Sequence, residues 1–582
     1  MVKRRIGRKF FSAATATLLL IAAVPPAAGT GGPCAGAPEK AVHELSGQAV
    51  ERRAPKRPVT VDGVVTATFL GEDELGGFFL QGVDVAPDGM PAGLFVYAPD
   101  LAPAKREKVE AGARVRLRGR PGSHHGRPQL EGTEMLARCG EAEPQRLAIE
   151  WPPPDRERLE GVWVGIETPL VVTGNHELAR YGSLELAPHR RAFRPTNFRS
   201  GDGPEDPDRA EERLILDDGS YRGRPDPIPH VDGDGSRRVG TRIEDLTGVV
   251  SHAFDAWRLH PTEKPDFQSD NPRPDPLPDP AGGAIRIAAF NVENYFLTLG
   301  QRGAANAREL AIQRAKLLAA ARQLRADLLV LVEMENRPDA PEDFVTRLAE
   351  ATGQPWRLAR GGDTGSDAIK VSLAYRADRL EPVTEVARDS REVHHRPPPV
   401  AGFQPLGGGD PFGVAGIHFK AKVGCPDRGD VDRGQGCWNL RRTEQAQALA
   451  DYLQQWRSRK RQLPVLIAGD LNAYGGEDPA RALAEAGKVD LLAEHVPWES
   501  RYTYVFRGES GYLDHLQAHP RLAERVAAVH THPINADEPR HLEFDSDFVR
   551  GEWVRDDAYR SSDHDPIAVD LRRQGGAGGG KP

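Results

Sequence analysis

The sequence predicts a C-terminal α/β domain that follows a β-rich region containing a small barrel. Three observations support this fold class. Short β segments separated by glycine turns fill residues 57–140, a second β-rich stretch covers 146–262, and beyond residue 284 apolar runs alternate with stretches of helical periodicity. The 582 residues suffice for roughly three or four domains, and the 61 glycines and 49 prolines favour turns and strands over a helical bundle.

The first 29 residues have the pattern of a secretory signal peptide. A basic start with Lys3, Arg4 and Arg5 precedes an apolar run over residues 10–24, and Ala27-Ala28-Gly29 offers small residues for cleavage. An uncleaved membrane anchor is the alternative, which the short apolar run disfavours. We therefore expect a secreted, extracellular protein, with a periplasmic stage in transit and no stable membrane partner.

The charge balance excludes one class of nucleic-acid-binding protein. A protein that holds DNA only by neutralising phosphates is basic, whereas this chain has a net charge of −8, and loss of the signal segment removes five more cations. Any nucleic-acid site must therefore be local or must use a metal ion.

Four cysteines in an exported chain predict two disulfides. Cys425 and Cys437 lie in one polar, glycine-rich loop, which favours their pairing. Cys34 and Cys139 would then bracket the first domain. Four free thiols are the alternative.

The composition shifts along the chain divide it after the signal peptide. Residues 30–145 are predicted to be a barrel domain and 146–260 a second β-rich domain. A stiff, extended proline-rich linker is expected at 261–283, the α/β domain at 284–572, and a flexible glycine-rich tail at 573–582. The barrel strands carry a few aromatic side chains, which form either core or a platform for stacking bases: Phe69, Phe78, Phe79, Phe95 and Tyr97.

Polar side chains follow nearly every apolar strand of the α/β domain, and ligand sites in such sheets lie beyond the strand ends. Carboxylates and amides suit a hard cation, and the absence of His-Glu-x-x-His and Cys-x-x-Cys motifs disfavours zinc. With histidines available as acid and base, these residue types predict metal-assisted phosphoester hydrolysis. The polar groups lie at 291–294, 333–336, 418–422, 469–472, 514–515 and 561–565.

The order of these motifs resembles the endonuclease/exonuclease/phosphatase superfamily, which has the deoxyribonuclease I-like fold. The resemblance covers about 284–572, and Gly469-Asp-Leu-Asn-Ala with Ser562-Asp-His-Asp-Pro is its most specific pair of motifs. It implies a four-layer α/β sandwich. The N-terminal part is similar to the oligonucleotide-binding (OB)-like region of bacterial extracellular nucleases of this superfamily. The motifs there are Gly77-Phe-Phe-Leu-Gln, Leu159-Glu-Gly-Val-Trp-Val, Arg194-Pro-Thr-Asn and Leu216-Asp-Asp-Gly.

The resemblance also implies roles for individual residues. The implied metal site consists of Asn291, Glu333 and Asp563. The implied catalytic residues are His418, Asp470, Asn472, Asp514 and His564. In this arrangement Asp470 and Asn472 position the attacking water, Asp514 orients His564 on the scissile phosphate, and His418 is an acid or phosphate ligand. The general base is either Asp470 or His564.

Other residues near these motifs allow two interpretations. Glu335 would share the strand face of Glu333 and compete with it as a metal ligand. Lys420 and Lys422 either bind substrate phosphate or form a solvated strand end. Arg441 opens a predicted helix, a position that the helix dipole disfavours for a cation, so we expect it to bind phosphate as well.

The favoured function is a secreted, metal-dependent endonuclease that cleaves DNA, and RNA as a further substrate, with little sequence specificity. We expect a monomer that uses Mg²⁺ or Mn²⁺, with Ca²⁺ as a further candidate. One alternative is a phosphodiesterase or phosphatase of the same superfamily acting on phospholipid or inositol phosphate. The other is a non-catalytic nucleic-acid-binding protein.

Overall fold

The structure is a computed structural model that describes residues 34–46, 57–124, 127–204, 210–545, 553 and 555–574. The predicted signal peptide and nearly all of the predicted tail lie outside the described residues. Both predicted disulfides, Cys34–Cys139 and Cys425–Cys437, are present. They indicate a chain that folds in an oxidising compartment. Within the described part of the chain, no helix is long and apolar enough to cross a membrane.

The N-terminal unit is a closed five-stranded barrel with the strand order β1-β2-β3-β5-β4. The barrel interior is filled by aliphatic side chains such as Val61, Val65, Leu80 and Val96. Its OB-type identity stays a prediction. Its elements are β1 (Val59–Phe69), β2 (Gly77–Gly82), β3 (Gly93–Tyr97), α1 (Pro103–Arg106), β4 (Ala113–His124) and β5 (Arg127–Glu141).

The aromatic side chains of the barrel strands do not form an open platform. Phe69, Phe79 and Phe95 are buried where the barrel packs against Val249 and Trp163 of the following unit. Phe78 is buried in the barrel core. Of the five candidates only Tyr97 is exposed. These strands therefore do not form the stacking platform that was one of two predictions for them. Their aromatic side chains mainly form an interface between two β units.

The second unit is built on a nine-stranded sheet with the order β15-β12-β8-β9-β11-β14-β13-β7-β6. Its elements are β6 (Leu147–Ile149), β7 (Trp163–Ile166), β8 (Leu170–Gly174), α2 (Leu178–Tyr181), β9 (Leu184–Pro188), β10 (Ala192–Phe193), which joins another sheet, β11 (Leu214–Leu216), β12 (Arg242–Ile243), β13 (Leu246–Ala253), β14 (Ala256–Pro261) and β15 (Phe267–Gln268).

The proline-rich segment is not the free-standing linker that its composition suggests. Its first part supplies β15, which pairs with β12. Asn271 then donates a hydrogen bond to the Asp537 carboxylate (Nδ2–Oδ2 2.7 Å), and Leu277 is buried in the core of the α/β unit. Extended proline-rich chain leaves its side chains and carbonyls available, so it packs along both units.

The α/β unit contains two sheets packed face to face. The six-stranded sheet has the order β18-β19-β17-β16-β30-β29, and the seven-stranded sheet includes β20-β22-β23-β24-β28-β25 with β21 paired to β22. The strands are β16 (Ile285–Tyr295), β17 (Leu328–Glu335), β18 (Trp356–Ala359), β19 (Ile369–Arg376), β20 (Leu380–Pro382), β21 (Ala387–Arg388), β22 (Pro399–Pro405), β23 (Phe412–His418), β24 (Val465–Asp470), β25 (Val489–Asp490), β26 (Tyr504–Phe506), β27 (Glu509–Gly511), β28 (Asp514–Ala518), β29 (Val526–Thr531) and β30 (Ile567–Leu571).

Helices cover the outer faces of both sheets and complete the predicted four-layer sandwich. Leu317 and Phe344 pack beneath one outer face, and Leu449 and Leu453 beneath the other. Asn306 caps the longest helix on the first face by accepting from the backbone N–H groups of Arg308 and Glu309. The helices are α3 (Ala307–Leu324), α4 (Asp339–Thr352), α5 (Asn439–Arg459), α6 (Asp478–Glu485), α7 (Leu491–His495) and α8 (Pro520–Ala523).

The second unit and the α/β unit share a small sheet. Strand β10 of the second unit pairs in parallel with β27, which forms a hairpin with β26. A buried ionic cluster lies beside it, in which the Asp537 carboxylate faces Arg191 (3.1 Å) and Arg238 (3.3 Å) of the second unit. Tyr502 also donates its hydroxyl to Asp537 (2.7 Å). These contacts fix the second unit beside the strand ends of the α/β unit.

Candidate active site

The strand register brings three predicted catalytic residues side by side. In the seven-stranded sheet His418 pairs with Asp470 across parallel strands, and Asp470 pairs with Asp514 across antiparallel strands. Because β28 runs antiparallel to β24, its first residue lies at the end of β24. The three side chains therefore form one row at the carboxyl edge of the sheet, where ligand sites of α/β sheets lie.

His564 is held against this row from the other sheet. Its Nδ1 lies 2.7 Å from Oδ2 of Asp514, which also accepts the Thr503 hydroxyl (2.8 Å). Burial opposes a charged imidazole, yet the Asp514 and Asp563 carboxylates raise the pKa of His564 well above its ordinary value. The raised pKa favours the protonated ring, with Nδ1–H donated to Asp514. The Tyr504 ring packs on it at a centroid distance of 4.7 Å.

Asp470 and Asn472 form a compact pair at the end of β24. Oδ1 of Asp470 accepts the backbone N–H of Asn472 (2.6 Å), and Oδ2 accepts its side-chain Nδ2 (3.0 Å). Burial raises the pKa of Asp470 to about 7, and the neighbouring Asp514 charge adds to the rise while His564 opposes it. A carboxylate with this pKa both accepts and releases a proton near neutral pH.

His418 is buried between Asp470 and an arginine. Its Nε2 lies 3.4 Å from Oδ2 of Asp470 and 3.7 Å from Oε1 of Glu333. Nη1 of Arg396 lies 2.8 Å from both ring nitrogens. Burial lowers the pKa of His418 well below its ordinary value, and the Arg396 charge lowers it further. The pKa values of the two histidines of the site are thus shifted in opposite directions.

Glu333 and Asn291 come from neighbouring parallel strands. Asn291 donates Nδ2–H to Oε1 of Glu333 (3.2 Å), and the backbone N–H of Asn294 donates to Oε2 (3.1 Å). Burial raises the pKa of Glu333, and the charge of Asp563 raises it further.

Glu335 does not share the surroundings of Glu333, contrary to the expectation of a regular strand. The pairing register of β17 shifts between Leu331 and Met334, and Glu333 has a φ of 70°. Glu335 consequently turns to the loop after β16, where it accepts the backbone N–H of Leu297 (2.7 Å). Its carboxylate supports that loop and does not compete for the site of Glu333.

Positive backbone φ angles cluster at this site. Four non-glycine residues here adopt the left-handed region: Glu293, Asn294, Glu333 and Asn472. Each such residue stores roughly 1–3 kcal/mol of strain, which persists only when the surrounding structure holds it. Backbone strain of this kind collects at functional sites, so the cluster is an independent indication of function.

The donor atoms fit a hard divalent cation. Glu333, Asn291 and Asp563 offer only oxygen ligands, and the nearby Glu293 has a carboxylate oxygen that is shielded from solvent without a hydrogen-bond partner. Burial, Glu543 and Asp563 raise the pKa of Glu293 well above its ordinary value. No set of three or more His, Cys, Asp or Glu side chains in the described chain is already arranged to hold an ion. Mg²⁺ typically takes one or two carboxylates and completes its shell with water, so this sparse set remains suitable.

One of the predicted phosphate ligands, Lys422, differs from expectation, whereas the role of Arg441 stays a prediction. Lys422 has its Nζ 2.7 Å from Oε1 of the fully buried Glu477, so it is engaged in an ion pair and is not an open strand-end lysine. Arg441 has its Nη1 3.8 Å from Glu444 in the first turn of α5. Lys420, in contrast, lines a cleft of about 480 Å³ together with His418 and Arg396.

Sequence reasoning did not identify four residues that the structure places at the site. Arg396 lies in a run of histidines and prolines that matches no motif, and Arg302 lies in a loop before α3. Glu293 lies inside a predicted motif but received no role. Tyr504 lies on a short hairpin, and only its proximity in space to His564 reveals it.

Several solved structures align with about half of this chain. The human nocturnin catalytic domain with bound sulfate anion is 16% identical, with a TM-score of 0.34, over 50% of this chain and 96% of that chain. TDP2 of D. rerio complexed with single strand DNA product is 16% identical, with a TM-score of 0.32, over 50% and 98%. A mannosyl-6-phosphatase of Bacteroides thetaiotaomicron is 16% identical, with a TM-score of 0.32, over 50% and 100%.

The comparison of sequences is more specific. No curated protein matches the chain. Residues 288–564 match the model of the Endonuclease/Exonuclease/phosphatase family, and this range contains all of the residues that form the site. The α/β unit of this chain therefore belongs to the endonuclease/exonuclease/phosphatase family, as its strand-end motifs predicted.

Proposed function

We propose that this protein is a secreted, metal-dependent nuclease that hydrolyses phosphodiester bonds of DNA, and of RNA as a further substrate. The observation that carries the proposal is the imidazole of His564, whose Nδ1 lies 2.7 Å from Asp514 Oδ2 beside the Asp470 carboxylate. This arrangement places a proton donor and a proton acceptor at one edge of the sandwich.

The roles of the two groups follow from their hydrogen bonds. Because Nδ1–H of His564 is donated to Asp514, its Nε2–H is directed to a phosphate oxygen and stabilises the charge that develops there. Asp470 then accepts a proton from the attacking water. This assignment favours Asp470 as the general base, since the raised pKa of His564 favours its protonated form, which has no lone pair to offer.

The remaining residues bind and orient the phosphate. His418 lies between Arg396 and Asp470 at the edge where the phosphate would bind. Asn472 holds Asp470 in place, because its side-chain amide donates to Oδ2 of Asp470 and to the Phe419 carbonyl. A divalent cation held by Glu333, Asn291 and Asp563 supplies Lewis-acid stabilisation of phosphate charge when bound. Mg²⁺ and Mn²⁺ suit these oxygen donors best.

The placement of the second unit supports a polymeric substrate. A cleft of about 490 Å³ is lined both by Glu293, Tyr504 and Asp563 of the site and by Asn175 and His176 of the second unit. A small phosphomonoester has no need of contacts this far from the reacting phosphate, whereas a nucleic-acid strand extends past it on both sides.

Nicking of covalently closed plasmid DNA tests the proposal. The purified protein is incubated with plasmid and Mg²⁺ or Mn²⁺, with EDTA as the metal-free control. We expect metal-dependent conversion to open circles. His564→Ala and Asp470→Ala should each lower the rate at least ~10²-fold while leaving the fold intact by circular dichroism.

Two results would contradict the proposal. Near-normal turnover of either variant would contradict the catalytic role assigned to the replaced residue. Plasmid that stays intact with every metal would contradict endonuclease activity. A panel of linear DNA, phospholipid and sugar phosphates would then identify which phosphoester the site accepts.

A further inference from the structure

A second large cavity lies where the barrel meets the nine-stranded sheet, and we call it the junction cleft. Its volume is about 470 Å³, within the range of sites for small organic ligands. Barrel residues lie on one side of it and second-unit residues on the other. The residues used below are Arg127 of the barrel and Glu177, Tyr181, Tyr221, Phe254 and Arg258 of the second unit.

Aromatic side chains gather around this cleft. Tyr181, Tyr221 and Phe254 are 45%, 51% and 58% exposed, and they are three of the five exposed aromatic side chains among the described residues. They come from separate elements: the end of α2, the loop after β11, and the β13–β14 turn, where Phe254 has a φ of 54°. Exposed aromatic groups that converge on one cavity indicate a ligand with flat, apolar faces.

The polar groups of the junction cleft suit the edges of such a ligand. The Arg258 guanidinium lies 5.3 Å from the centre of the Phe254 ring and also pairs with Asp217. Oε2 of Glu177 is shielded from solvent and has no hydrogen-bond partner among the described residues. A carboxylate of this kind accepts hydrogen bonds from the amino groups of nucleobases.

The junction cleft adjoins the cleft at the candidate active site. Gly174, Glu177 and Glu185 line both the junction cleft and the cleft that contains Glu293 and Asp563. The junction cleft is therefore a neighbouring site for a chain molecule bound at the active site.

We propose that the junction cleft binds unpaired nucleobases of the strand whose scissile phosphate lies at the active site. The inference rests on the proposed nuclease function and specifies its substrate as single-stranded or locally unpaired nucleic acid. Bases stack on Tyr181, Tyr221 and Phe254, and Glu177 accepts an N–H of the base edge, such as N3–H of thymine. The Glu177 carboxylate repels phosphate, so the bases, and not the backbone, face this side of the cleft.

Binding without hydrolysis tests this directly. We would measure the fluorescence anisotropy of a labelled oligothymidylate of about 20 nucleotides in EDTA, with an abasic oligomer of the same length as a second probe. Tyr221→Ala and Phe254→Ala should each weaken oligothymidylate binding about tenfold and leave abasic binding unchanged. Tyr97→Ala is the matched control, because Tyr97 is exposed but lines neither cleft, and it should bind as the unaltered protein does.

A second measurement separates the junction cleft from the active site. Hydrolysis of bis(p-nitrophenyl) phosphate, which is too short to reach the cleft, should be unchanged in Tyr221→Ala and Phe254→Ala. The inference would be overturned if these variants bound oligothymidylate as tightly as the unaltered protein does. It would also be overturned if the unaltered protein bound the abasic oligomer as tightly as it binds oligothymidylate. If the protein bound oligothymidylate in the expected base-dependent way but cleaved no phosphodiester, the proposed function would be overturned. The inference that the junction cleft binds bases would stand.

Discussion

Glu160 illustrates how a single buried carboxyl group couples this fold to pH. It is 5% exposed and lies where the barrel meets the second unit. One oxygen accepts the backbone N–H of His252 (2.7 Å), whereas Oε1 is buried without a partner. Burial raises the pKa of Glu160 to about 8, although the His252 N–H and the Arg127 charge oppose the rise.

We predict a pH-dependent loss of stability from this residue. Between the ordinary pKa of 4.5 and about 8, the folded protein holds a proton on Glu160 that the unfolded chain releases. The free energy of unfolding therefore falls as pH rises through this window, by ~1.4 kcal/mol per unit of pKa difference. Glu160→Gln should remove this contribution, as urea unfolding of both proteins across the window would show. Parallel pH profiles would contradict the prediction.

At the level of residues, sequence reasoning succeeds where chemistry and local motif coincide. Asp470, Asn472 and His564 lie in motifs whose residue types are unusual at strand ends, and the structure brings them together. Arg396 and Tyr504 were not predicted because an arginine among prolines and a tyrosine on a short hairpin have no distinctive local pattern. Their roles depend on which atoms they contact, and that depends on tertiary packing.

Two glycines control how closely the barrel approaches the second unit. A Cβ added to Gly93, the first residue of β3, would lie 1.9 Å from the carbonyl oxygen of Gly161. Gly161 itself has a φ of 73°, which a side chain would strain. The backbones of the two units are therefore in direct contact at this point.

Gly93→Ala should destabilise the protein by roughly 1–3 kcal/mol. The atoms that the added Cβ would meet belong to the backbone of Gly161 and Val162, which cannot rotate away as a side chain can. Thermal unfolding followed by circular dichroism measures the effect. Gly223→Ala is the matched control, since its Cβ would meet nothing within 4 Å, and its midpoint should be almost unchanged. Equal midpoints for the two variants would show that the contact is not tight.

At the level of elements, the length of a segment decides whether its sequence is informative. Helix α3 (Ala307–Leu324) is long enough to carry local signals, namely its apolar spacing and its Asn306 cap. Strand β10 has two residues, and its partner β27 lies far along the chain, so no local pattern marks it. The register shift in β17 that separates Glu333 from Glu335 is likewise a tertiary feature.

Across the whole molecule, the contact between the second unit and the α/β unit depends on one buried carboxylate. Asp537 has no exposed side-chain surface and accepts from Arg191, Arg238, Tyr502 and Asn271. The carboxylate is thus the counter-charge of Arg191, whereas Arg238 has the buried Glu538 as a second one (2.5 Å).

Asp537→Ala should lower the stability by about 3–5 kcal/mol, because it leaves the buried Arg191 guanidinium without its counter-charge. Calorimetry of the full chain measures the loss. Asp279→Ala serves as the control: its side chain is 82% exposed and pairs with Arg325, so we expect a change below ~1 kcal/mol. Similar losses in both variants would contradict a special role for the buried cluster.

The fold class was predictable as a whole, whereas the assembly of the units was not. Alternating strand and helix patterns predicted an α/β domain, and the resemblance of its strand-end motifs implied the four-layer sandwich. Glycine-separated strands predicted the barrel. Composition alone suggested a stiff, extended linker at residues 261–283. The structure shows them packed, because Leu277 and Asn271 make contacts that a proline count does not reveal.

The sheet that joins β10 to the β26–β27 hairpin bears on how this protein can evolve. Tyr504, which packs on His564, belongs to that hairpin. The strand that pairs with the hairpin, β10, lies in the second unit, far earlier in the sequence. A recombination event that exchanged the α/β unit alone would separate the hairpin from β10. Inheritance of the second unit together with the α/β unit preserves the strand pairing that supports Tyr504 over His564.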